Sequence, residues 1–97
     1  MTTPGLFTFN HAEFDAAATR TAISMSEGLA RTICIARVLV QNGRTVDMAG
    51  LEMGVGLLCA KALDLPAEDG RTVRPHLIAL LSELASLTEA LRQLEPD

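Results

Sequence analysis

The side chains able to do chemistry are few and scattered along this sequence of 97 residues. It holds two histidines, His11 and His76, and two cysteines, Cys34 and Cys59. A zinc site needs three or four such ligands, usually announced by spacings such as C-x-x-C or H-x-x-x-H, and neither spacing occurs. Both histidines fall in what read as first turns of helices, where the helix dipole disfavours a protonated imidazole. If the first helix bent back on itself, His11, Glu13, Cys59 and His76 would approach one end of the molecule, the one route to a metal or ligand site. If it runs straight, His11 stays remote from His76.

Glu52 is the residue most suggestive of acid–base work, a lone acid among Gly and Met. A solvent-facing edge, or an ion pair with Arg31, Arg37 or Arg74, accounts for it without catalysis. Gly43-Arg44-Thr45-Val46 recurs as Gly70-Arg71-Thr72-Val73. Gly, Arg and a helix start can hold a phosphate, but no Walker or Rossmann fingerprint accompanies either copy. Each copy reads instead as a helix entry with Thr as the N-cap. The sequence therefore predicts no catalytic residue, no metal ligand and no cofactor, and the chain reads as something other than an enzyme.

The elements that carry these residues read as helices. Ninety-seven residues make one domain with a modest core. The hydrophobic share of 48% and charged share of 21% are those of a folded chain. The three aromatics are all Phe, so the core must be Leu, Ala, Val, Ile and Met, a palette that suits helices better than sheets. A net charge of −4 with no Lys/Arg run argues against nucleic acid and anionic membranes as partners. No apolar run is long enough to span a bilayer, and MTTPGLFTF lacks the basic segment of a secretory signal. The cytoplasm is the expected compartment, with both cysteines as buried free thiols. Arginine far outnumbers lysine, a bias that suggests a bacterial source.

Residues 1–10 read as an arm, with Pro4 and Gly5. The first helix is predicted over 11–41. Asn10 and Glu13 resemble a capping box and Phe9 with Phe14 a hydrophobic staple, while Asn42-Gly43 is a stop signal. Its apolar stripe is Ala18, Ala22, Met25, Leu29, Ile33, Ala36 and Val40, spaced 4-3-4-4-3-4. Ser24 and Glu27 also match a capping box, so a break near Ser24–Gly28 is the alternative. The second helix, 46–63, is apolar nearly all round and is predicted to be the buried centre. Gly50, Gly54 and Gly56 each cost a helix about 0.5–1 kcal/mol, which close packing against another backbone would offset. The third helix is predicted over 73–94, with Pro75 in its first turn. Leu77, Leu80, Leu84, Leu87, Leu91 and Leu94 step 3-4-3-4-3 along it.

The expected fold is all-α, a single domain over 1–97 forming a small antiparallel helical bundle of three long helices, or four if the first breaks. At 1.5 Å per residue the first helix spans about 46 Å and the second about 27 Å, leaving an overhang of nearly 20 Å. Phe14, Ala18 and Ala22 on that overhang, with Phe7 and Phe9 in the arm, form an apolar strip that needs a partner. A homodimer interface at Phe7, Phe9, Phe14, Ala18 and Ala22 is the expected solution. The function expected is a non-catalytic protein-interaction module acting as a homo-oligomer: an adaptor, regulator or accessory subunit with room for a further protein partner. The alternative is a small-molecule- or metal-binding helical protein, or an enzyme subunit, using the end near His76 and Cys59.

Overall fold

The computed structural model describes residues 11–94, with side chains from residue 16 onward. These residues form three helices, α1 (His11–Gln41), α2 (Met48–Leu63) and α3 (Ala67–Gln93), and no strand. The fold is all-α.

Helix α1 runs unbroken through Ser24–Gly28, so the four-helix alternative fails. The Ser26 hydroxyl donates to the Ile23 carbonyl at 2.8 Å, which satisfies a buried polar group within the helix itself. The stop is where the sequence puts it. Gly43 adopts φ +79°, the Arg44 N–H donates to the Leu39 carbonyl at 2.8 Å, and the Gly43 N–H donates to the Val40 carbonyl at 3.0 Å. This is a Schellman closure, and it requires a residue free to take a positive φ.

Two helix starts differ from expectation. Helix α2 begins at Met48 and not at Val46, because Asp47 rather than Thr45 is its cap. The Asp47 carboxylate accepts the Gly50 N–H at 3.0 Å. Helix α3 begins at Ala67 and not at Val73, with Glu68 and Asp69 set favourably in its first turn against the helix dipole. The second Gly-Arg-Thr-Val copy therefore lies inside a helix and is no helix entry. Pro75 also lies inside α3, where it deprives the Arg71 carbonyl of its N–H partner. Both residues are exposed, so water can serve that carbonyl.

The buried face of α1 is Thr19, Ala22, Ser26, Ile33, Ala36 and Val40, with Leu29 half-buried among them. These positions step 3-4-3-4-3-4, a heptad pattern, and not the 4-3-4-4-3-4 of the apolar stripe. Hydrophobicity alone skips Thr19 and Ser26 in favour of Ala18 and Met25. On α3 the matching face is Val73, Leu77, Leu80, Leu84, Leu87 and Leu91. The contact of α1 with α3 is the most extensive in the molecule, and that of α2 with α3 the least.

Helix α2 is consequently not the buried centre. Its buried residues are Val55, Leu58 and Ala62, whereas Met53, Leu57 and Leu63 are 67%, 58% and 86% exposed. The small residues Thr19, Ala22, Ser26 and Ala36 let α3 approach α1 closely, so these two helices fill each other's surface and α2 lies along one side. The overhang shrinks for a related reason. With 27 residues, α3 is about 40 Å long, and its earlier start brings the 64–66 connection beside the N-terminal half of α1. Leu65 borders a groove with Ala18 and Ala22 there.

Two substitutions test this packing. The Thr19 hydroxyl is buried without a hydrogen-bond partner. Thr19→Val keeps the side-chain shape and removes that group, so it should raise stability by roughly 1 kcal/mol in chemical denaturation. Pro75→Ala restores a backbone donor in an exposed helix interior and should stabilise by about 1–3 kcal/mol, read as a rise in thermal midpoint. A lowered midpoint would mean that α3 does not run continuously through residue 75.

Candidate functional site

Among the described residues those that could do chemistry are not brought together, and the side chains of His11 and Glu13 lie outside the described residues. His76 on α3 and Cys59 on α2 are each half-buried, and both cysteines are free. Cys34 is exposed, contrary to the expectation of two buried thiols, because its position lies off the heptad face of α1. Its Sγ sits 3.8 Å from Arg37 Nη2. Among the described residues no group of three His, Cys, Asp or Glu side chains could hold a metal ion.

Glu52 is exposed and forms no ion pair among the described residues. Arg37, one of its expected partners, meets Glu83 Oε2 at 3.7 Å and links α1 to α3. Neither Gly-Arg-Thr-Val copy makes an anion site. Before α2, the Gly50 N–H is taken by Asp47. In α3, Arg71 and Thr72 share their surface with Glu68 and Asp69.

The three glycines singled out on α2 have three different surroundings. A Cβ on Gly54 would lie 3.1 Å from Leu29 Cδ2, so the close neighbour there is a side chain of α1 and not the second backbone the sequence predicts. At Gly50 the near neighbour is the Asp47 carboxylate, a local demand of the cap and not of a second helix. At Gly56 a Cβ would meet nothing within 4 Å among the described residues, so the expected close packing is absent there. Of the expected interface residues, Ala22 is 2% exposed within the chain and has no surface to offer, and Ala18 is half-buried. Phe7 and Phe9, and the side chain of Phe14, lie outside the described residues.

What the structure does assemble is a surface along the α1–α2 side. At one end, a groove of about 310 Å³ runs between Ile35 and Leu39 of α1 and Asp47 and Gly50 at the start of α2. At the other end, a groove of about 470 Å³ lies between Ala17, Ala18 and Thr21 of α1 and Lys61 and Asp64 at the end of α2. Gly50, Met53, Leu57 and Lys61 step 3-4-4 and so share one face of α2. Leu51, Val55, Leu58 and Ala62 step 4-3-4 on the face turned to the core. The sequence reading missed this because two separate apolar seams on one helix look like burial all round. The interleaved spacings were the available signal.

Among the described residues no helix is long and apolar enough to cross a membrane. Compared with protein-family models, with curated proteins and with solved structures, the chain matches none.

The glycine surroundings separate two outcomes. Gly54→Leu should destabilise by about 1–3 kcal/mol, because Leu29 must be displaced. Gly56→Ala meets open space and should stabilise by about 0.5–1 kcal/mol through helix propensity. A stabilised Gly54→Leu beside a destabilised Gly56→Ala, read as urea midpoints, would show that the α1 contact lies at Gly56 instead.

Proposed function

We propose that this chain is a non-catalytic helical module that works by self-association, as an adaptor, regulator or accessory subunit. The observation that supports it is the exposure of Met53, Leu57 and Leu63 on the most apolar helix of the molecule. Single exposed apolar side chains are ordinary on monomers, but Met53 and Leu57 share a face of α2 with Gly50, which borders the groove lined by Ile35 and Leu39, 62% and 37% exposed. Burying one such side chain fully is worth roughly 1.5–3 kcal/mol, a large fraction of the 5–15 kcal/mol or so that stabilises a small domain. A second protein surface is the economical cover.

In this reading the three helices form an antiparallel unit. The grooves support that arrangement, since the start of α2 borders residues 32–39 of α1 and its end borders residues 17–22. Ala18 lines the second groove, and Phe14 precedes it by one helical turn. The free cysteines suit a reducing, cytoplasmic setting.

Light scattering coupled to size-exclusion chromatography tests the reading. At about 50 µM, well above the range of weak encounters, the expected mass is twice the 10.3 kDa of one chain. A strictly monomeric species at that concentration would sink it.

A further inference from the structure

We infer that the α1–α2 surface docks a second copy of this chain in antiparallel register, about a two-fold axis beside Gly28 and Gly54. This rests on the self-association reading above and adds the surface, the partner and the geometry. Three observations converge on it.

The first is charge. The start of α2 carries Asp47 on this surface, and its end carries Lys61 together with Asp64. An antiparallel pairing brings Asp47 of one copy to Lys61 of the other at both ends. A parallel pairing sets Asp47 on Asp47, and like charges at a close interface oppose association. The second is shape. Ile35 and Leu39 protrude at one end of α1, while Ala17, Ala18 and Thr21 leave a groove at the other. Reversal seats the bulky end of each copy in the small-residue groove of the other, as an isologous interface requires.

The third is register. Leu39 and Ala17 are centred on position 28 of α1, and so are Ile35 and Thr21, while Asp47 and Lys61 are centred on position 54 of α2. Both centres are glycines, and Gly54 packs on Leu29, beside Gly28 in α1. One axis therefore satisfies both helices.

The test uses the full chain, sedimentation equilibrium and circular dichroism. Leu57→Asp, at a side chain 58% exposed in the single chain, should keep helicity and weaken the dimer by about tenfold or more. Met53→Arg serves as the second probe should Leu57→Asp lose helicity. Lys61→Glu should weaken the dimer several-fold by opposing Asp47 of the second copy, and adding Asp47→Asn, which keeps the helix cap, should recover much of that loss. Within one chain these two residues stand about 21 Å apart along α2, so recovery reports contact between copies. A monomeric wild type would overturn both this inference and the reading beneath it. A dimer insensitive to Leu57→Asp and Met53→Arg would overturn the surface alone. One weakened by those variants but unmoved by Lys61→Glu would overturn the antiparallel register.

Discussion

The close approach of α1 to α3 is the contact on which the rest of the molecule depends. It is made possible by what α1 lacks. Thr19, Ala22, Ser26 and Ala36 place little volume in the seam, so the leucines of α3 can pack close to the α1 backbone. Ile33 and Val40 then fill the space that remains at the C-terminal half of α1. Two polar hydroxyls are buried in consequence, one satisfied by the Ile23 carbonyl and one left without a partner. Burying an unpaired hydroxyl costs free energy, and the tight helix contact around it is the offsetting gain.

That contact decides the position of α2. Two long helices that match each other leave the third to bury one narrow strip, Leu51, Val55, Leu58 and Ala62. The most apolar helix thus keeps large apolar side chains exposed at Met53, Leu57 and Leu63. Its glycines fit this placement: one admits Leu29 of α1, one accommodates the Asp47 cap, and one faces open space. Ion pairs do little to hold the arrangement. Arg37 with Glu83 at 3.7 Å and Arg92 with Glu89 at 3.3 Å are both partly or largely solvated, and such pairs contribute at most about 1 kcal/mol each. The chain is held by apolar packing, which leaves large apolar side chains of α2 uncovered.

Local chemistry was legible in the sequence wherever a helix boundary depends on a few neighbouring residues. Asn42-Gly43 ended α1 because only a residue without Cβ takes φ +79° freely. The end of α2 at Leu63 was legible as well. The all-α class followed from composition and from the leucine spacing of α3. Even the errors in boundary were local: Asp47 outcompeted Thr45 as a cap, and exposed Pro75 was carried inside a helix by the packing of Val73 and Leu77 on either side.

Which apolar face meets which partner was decided only by the tertiary structure. Hydrophobic spacing on α1 picked Ala18 and Met25, while the folded chain buries Thr19 and Ser26, because a seam between closely spaced helices selects for small volume before apolarity. On α2, two seams share sixteen residues; their interleaved spacings show that there are two, but not which one turns to the core. The scattered His, Cys and Glu residues could be judged unpromising from spacing alone. The surface along Ile35, Leu39, Met53 and Leu57 could not be seen until the length of α3 and the fit of α1 against it had determined how little of α2 the chain covers.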